Sequence, residues 1–250
     1  FASSLCLSPP PIPIDVARAQ EQHQRYVAAL AQHVSRVVTL APKDALPDSC
    51  FVEDTAVIIE DQALLTRPGA PSRRGEVASV LLALRALGLR CAVMAPPATL
   101  DGGDVLVSGE TIFVGMSARS GPAAVAELQA AFPRHQVVPV PVEAGLHLKS
   151  AATQVSDRHF LVEESGAGRR IFAAIAAALP GALPLWTSEP HAANALRVGG
   201  ALLHLGGRPR LAEALAPLGL PLVALDMSEL EKADGGLTCL SLLAPAASGR

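Results

Sequence analysis

Asp104-Val105-Leu106-Val107-Ser108-Gly109-Glu110-Thr111-Ile112-Phe113-Val114 sets two short apolar runs on either side of a Gly-Glu pair. Runs of this length, rich in β-branched residues and parted by so tight a turn, predict a β-hairpin. Further along, residues 122–132 have the 3.6-residue apolar period of an amphipathic helix, and 136–140 return to a short apolar strand. The stretch therefore reads strand, strand, helix, strand.

The same order recurs on both sides of it. Helical periods lie at 15–33, 74–87, 168–179 and 210–218, and each is followed by a short strand, at 37–40, 89–94, 182–185 and 221–225. Hairpin-like pairs precede three of these helices, at 55–59 with 63–66, 151–155 with 159–162, and 195–198 with 201–205. After the last strand only 238–243 remains, so the fifth unit is one strand short, and in a closed ring the missing strand would precede Phe1. A repeat of about 50 residues is long enough for one supersecondary unit. None of the five units can bury its apolar face alone, so they are expected to pack radially about an axis. The expectation is a five-bladed α/β propeller of ββαβ units, one domain over 1–250. An open doubly wound sheet is the rival, but it calls for alternating strands and helices rather than recurring hairpins.

Composition narrows the function classes. Half of the 250 residues are hydrophobic, enough for a large core. Charged residues are only 17% and the net charge is -3, so no basic surface is available for nucleic acid or anionic lipid. No apolar run approaches the roughly 20 residues of a spanning helix. Cys6, Cys50, Cys91 and Cys239 are widely spaced without a C-x-x-C pair, which points to reduced thiols in a cytoplasm rather than to disulfides or a zinc knuckle. The chain opens on Phe1 with no charged n-region and apolar h-region after it, and is read as trimmed at its start.

Four features could bear chemistry. Cys239 follows Asp234-Gly235-Gly236-Leu237-Thr238, a turn feeding a predicted strand; as a free cysteine it could equally be a small buried hydrophobe. His147 lies between leucines at the start of a strand-like run, where a core histidine bonded to backbone would look the same. A thiol nucleophile needs an imidazole or other base, so the two gain meaning as a pair. Asp48, Glu53, Asp54, Asp101 and Asp104 cluster in two short stretches; turns and caps explain one or two such acids, and five suggest a cationic ligand. Finally, Arg67, Arg73, Arg74 and Arg119 offer guanidinium forks for a carboxylate, although each taken alone reads as a solvated charge.

As a set, Phe51-Val52-Glu53-Asp54, the stretch 66–74, Gly102-Gly103-Asp104, Leu146-His147-Leu148-Lys149 and Asp234-Gly235-Gly236 before Cys239 resemble the dimethylarginine dimethylaminohydrolases. These belong to the guanidine-modifying, or pentein, superfamily of five-bladed propellers. The resemblance implies hydrolysis of N-methylated arginines to citrulline, with Cys239 as nucleophile, His147 as proton donor and Asp101 orienting the histidine. It places Asp54 and Glu53 on the guanidinium and Asp48, Arg73 and Arg119 on the amino-acid end. The backbone of Ala233 and the lid residue Leu5 would close over the substrate. No cofactor is implied, and zinc would act only as an inhibitor at Cys239 and His147. The expected partner is a small-molecule methylarginine, with neither nucleic acid nor membrane, in a cytoplasmic monomer or homodimer. Two departures stand out: the family's N-terminal strand is absent before Phe1, and the loop 6–13 is unusually rich in proline.

Two other readings share the fold. One is an arginine or agmatine deiminase, but the superfamily's arginine deiminases carry an acid two residues after the histidine, where this chain has Lys149, and are longer by a helical insertion. A non-catalytic pentein binding protein would lack the Cys–His–acid set.

Overall fold

The computed structural model describes residues 1–245. The quoted stretch forms β4 (Val105–Ser108), antiparallel to β5 (Thr111–Met116); helix α3 (Ala123–Ala131) then leads into β6 (Gln136–Pro141), parallel to β5. β5 is the middle strand, and Ile112, Phe113 and Val114 are fully buried. Burial on both faces explains why its sequence is continuously apolar rather than alternating.

Three more sheets repeat this plan. β1 (Ala56–Ile59), β2 (Gln62–Leu65), α2 (Val77–Ala86) and β3 (Arg90–Val93) form the unit before it. After it come β7 (Ala152–Gln154), β8 (His159–Glu163), α5 (Gly166–Ala178) and β9 (Leu183–Thr187). The fourth holds β10 (Leu196–Val198), β11 (Ala201–Leu205), α6 (Pro209–Leu215) and β12 (Leu222–Leu225). In every sheet the hairpin pair is antiparallel and the strand after the helix is parallel to the middle one. The strands thus lie in four separate three-stranded sheets, which overturns the open doubly wound rival and leaves the α/β propeller.

The fifth unit differs. Its helix α1 (Val16–Ala31) starts where the Asp15 side chain accepts a hydrogen bond from the Arg18 backbone at 3.1 Å. This helix packs on β12 and on the short α7 (Ser228–Glu231), and Tyr26 and Leu30 join Leu202, Leu230, Leu237 and Leu240 in one core cluster. Phe1 and Cys239 also pack against this cluster, and Phe1 stacks edge-on against Phe51. The strands expected at 37–40 and 238–243 are not formed among the described residues. A strand without a neighbour leaves its N–H and C=O groups unpaired. The chain instead makes a 3₁₀ turn at Thr238–Leu240, and the Thr238 N–H donates to the Asn194 side chain at 3.0 Å. A second correction falls at His147: the run after it is one helical turn, α4 (Leu148–Ala151), because the Asp104 carboxylate caps the Leu148 N–H at 2.9 Å. Among the described residues no helix is long and apolar enough to cross a membrane.

Candidate active site

His147, immediately before α4, is 3% exposed. Its Nε2 lies 3.1 Å from Oδ2 of Asp101, and its Nδ1 lies 3.9 Å from Oδ1 of Asp54. Burial alone would push the imidazolium to lose its proton. The Asp54 charge, the Asp101 hydrogen bond and the Asp104 charge outweigh it, and the pKa rises to about 9. Gly103 makes this approach possible, since a Cβ there would stand 2.6 Å from Nδ1 of His147.

Asp54 is held from two sides. It accepts from the Gly103 N–H at 2.9 Å and from Nη1 of Arg73. Burial works to raise its pKa, but the positive charges of His147 and Arg73 prevail and keep it below the ordinary carboxylate value. Arg73 is itself buried, with Nε and Nη2 on Glu76 and Nη2 also on the backbone oxygens of Asp48 and Phe51. Its guanidinium is therefore largely engaged within the protein. Arg119 is freer, with Nη1 3.5 Å from Asp101 and 18% of its side chain exposed.

Glu53 meets different partners. One carboxylate oxygen accepts from Lys149 Nζ, and the other accepts from the Thr238 hydroxyl at 2.7 Å. Burial nonetheless leaves its pKa raised. Asn194 completes the network by donating to the Lys149 carbonyl and to Thr238 Oγ1. Cys239, next to Thr238, is half-buried, and the Gly236 N–H points at its Sγ from 3.4 Å. Burial pushes the thiol pKa up strongly, and Glu53 and Asp54 add to the effect.

Two adjoining cavities share His147, Asp234, Gly235 and Cys239 in their walls. Glu53, Lys149, Ser150, His191 and Asn194 are among the residues that complete the first. Leu5, Asp48, Asp54, Arg73, Arg119 and Ala233 are among the residues that complete the second. A loop closes over the second cavity, its Leu5 N–H donating to Asp48 at 2.9 Å and its Leu7 N–H to Asp234 at 2.6 Å.

No family model matches the chain. Among curated proteins, N(G),N(G)-dimethylarginine dimethylaminohydrolase of Streptomyces coelicolor is 41% identical over 92% of this chain and 87% of its own length. The chain belongs to the dimethylarginine dimethylaminohydrolase family. Solved structures of the family superpose closely. The Pseudomonas aeruginosa enzyme, a cysteine-to-serine mutant complexed with citrulline, matches with a TM-score of 0.84 at 28% identity over 96% of this chain and 92% of that one. A histidine-to-glycine dimethylarginine dimethylaminohydrolase, as an adduct with S-methyl-L-thiocitrulline, gives 0.86 at 28% identity over 96% and 93%. The fold is thus the pentein propeller, and the chain is an enzyme of this family.

In this dimethylarginine dimethylaminohydrolase-family enzyme the ten residues to which the resemblance gives roles come to one place, whereas Asp104, Arg67 and Arg74 line neither cavity. Nine line the two cavities, and Asp101 stands behind His147. Sequence reasoning missed Glu76, Asn194, Asp234 and Ser120 as site residues. Glu76 left a signal, three residues after Arg73 and so on one helical face with it. Asn194 left none, because it reaches Thr238 across 44 residues of chain. Asp54, Asp101 and His147 have ligand atoms within 4.8 Å of one another, close enough to hold a cation; Cys239 is not in that group.

Proposed function

We propose that the enzyme hydrolyses asymmetric dimethylarginine and monomethylarginine to citrulline, releasing dimethylamine or methylamine. The observation behind this reading is that Cys239 and the proton-holding His147 share the walls of both cavities. A guanidinium carbon is a weak electrophile, so Cys239 must attack as thiolate. Burial and two acids oppose its ionisation in the free enzyme. A bound guanidinium reverses that balance by bringing positive charge to the same place.

Attack forms the S–C bond and a tetrahedral adduct. His147, already protonated, donates to the substituted nitrogen, the C–N bond breaks, and the amine leaves a covalent thiouronium on Cys239. Neutral His147 then takes a proton from water as the hydroxide adds to the same carbon. Collapse breaks the C–S bond, the departing sulfur takes the hydroxyl proton, and citrulline is released with Cys239 back as the thiol of the resting enzyme. Asp101 orients the imidazole, Asp54 and Glu53 face the guanidinium, and Asp48, Arg73, Arg119, the Ala233 backbone and Leu5 hold the amino-acid end. These steps require no metal or organic cofactor, and zinc at Cys239 and His147 would only block the nucleophile.

Substrate choice follows from Lys149. Its ammonium neutralises Glu53, so one side of the guanidinium meets no free carboxylate, and an N-methyl group there strands no buried charge. Assaying citrulline or its analogue from asymmetric dimethylarginine, monomethylarginine, arginine and agmatine tests the proposal. The methylated substrates should exceed arginine in kcat/KM by at least about tenfold. Equal or faster turnover of arginine would instead favour a deiminase with the same nucleophile.

A further inference from the structure

We propose that Asp104 is a positioning residue for the acid–base pair, holding the backbone of Asp101 and the backbone beside His147 in one register through a single buried carboxylate. The inference rests on the roles proposed above for His147 and Asp101. Asp104 belongs to neither cavity wall and has no place in the steps just derived.

Its surroundings are unusual for a bystander. The side chain is fully buried. Oδ1 accepts from the Leu148 N–H at 2.9 Å, which ties down the residue after His147. Oδ2 accepts from the hydroxyls of Ser117 and Ser120. Ser120 in turn accepts from the Asp101 N–H at 3.2 Å. One carboxylate thus reaches both members of the His147–Asp101 hydrogen bond by routes of one and two hydrogen bonds. An ionised carboxylate only accepts, so the Ser120 proton must point at Asp104, leaving its lone pairs for Asp101. The site is also closed to larger groups, since a side chain on Gly115 would collide with Oδ1.

A plain helix cap would need much less. An asparagine oxygen could cap Leu148 equally well, but its NH₂ would then face the two serines. Ser120 would have to accept from it, and its own proton would be left without an acceptor in a buried place. The charged groups facing the imidazole are Asp54, Asp101 and Asp104, with Arg73, Arg119 and Lys149 beyond them and Cys239 across the cavity. Losing the Asp104 charge removes one of three anions that hold the proton there.

Asp104→Asn separates the two roles. The proposal expects the His147 titration, followed by NMR of the imidazole and assigned with His147→Gln, to move down by at least about one pH unit. It further expects kcat to fall at least about tenfold with KM changed less than about threefold. Should Asp104→Asn fail to fold, Ser120→Ala, which frees the Asp101 N–H and takes one donor from Asp104 Oδ2, must shift the same titration in the same direction. An unchanged His147 titration in a folded variant, with only the unfolding midpoint lowered, overturns the proposal and leaves Asp104 a structural cap. Because the NMR reading needs no turnover, it stands apart from the substrate assay that tests the proposed reaction.

Discussion

The two walls that face each other across the catalytic cavities are built differently. The His147 wall comes from complete blades: Asp101 and Asp104 sit where β4 begins, Asp54 lies just before β1, and each carboxylate has at least two partners. The Cys239 wall comes from the fifth unit, which has a helix and turns but no sheet among the described residues, and Sγ has one backbone N–H near it. The electrostatics differ in parallel. The first wall raises the pKa of its titrating group to about 9 and so stores a proton at neutral pH. The second raises that of its thiol and so withholds the nucleophile. On the proposed mechanism the free enzyme keeps a ready acid beside an unready nucleophile, and a cationic substrate would supply the charge that converts thiol to thiolate. A reactive thiolate would then be exposed only when its target is present.

Removing the nucleophile should give the largest effect. Cys239→Ser is expected to lower kcat by at least about a thousandfold with an unchanged unfolding midpoint, since a hydroxyl packs like a thiol but is too basic to attack. Appreciable turnover would move the nucleophile off the Cys239 wall. His147→Gly comes next and tests whether the walls act separately. Turnover of dimethylarginine should be lost, yet an S-alkyl isothiourea analogue of arginine, whose thiol leaves without help, should still modify Cys239 in quenched mass spectra. If no adduct forms, the imidazole also generates the thiolate and the two walls act as one.

The pH profile sharpens the same contrast. The pKa of His147 in the fold is raised from about 6.5 to about 9, so its proton is held through neutral pH and lost as pH passes 9. kcat/KM, which reports the free enzyme, should rise with pH because the transition state has shed the thiol proton, and should level off with an apparent pKa near 9, where free His147 loses its own. The linked stability has the same sign: it is fully present below pH 6.5 and disappears as pH rises through about 9, which unfolding at several pH values would show as a steeper loss than in His147→Gln. A kcat/KM limb near 6.5 would mean that the acids do not hold the proton.

What the sequence disclosed follows the same division. The complete blades were legible because each hairpin and helix has its own local period, as in β5, whose buried residues 112–114 form one apolar run. The fifth unit was misread as stranded because apolar residues at 37–40 and 238–243 look like strands, while the absence of a pairing neighbour is a fact of three dimensions. Position 147 was legible as a candidate, its helical turn was not, since the capping acid lies 44 residues upstream. Partners such as Lys149 with Glu53, at a separation of 96 residues, leave no mark in local pattern. The acid cluster could be seen in the sequence, whereas the assignment of each acid to its cation could not.

The smallest expected effect concerns the loop over the second cavity, which is tied to Asp48 and to Asp234. Leu7 donates its backbone N–H to Asp234, an exposed contact, while Leu5 is separately tied to Asp48. Asp234 has φ 55, a left-handed conformation that glycine also adopts without strain. Asp234→Gly therefore removes the carboxylate while the backbone keeps its course. An exposed hydrogen bond to a charged acceptor contributes about 1 kcal/mol, which bounds the change at about fivefold. On the proposed substrate pose the loop covers the amino-acid end rather than the reacting carbon, so the loss should appear as a KM raised by up to about fivefold with kcat within about twofold. A kcat that falls more than KM rises would place Asp234 among the groups that act on the reacting centre, and the loop would then be part of the nucleophile's wall instead of a cover over it.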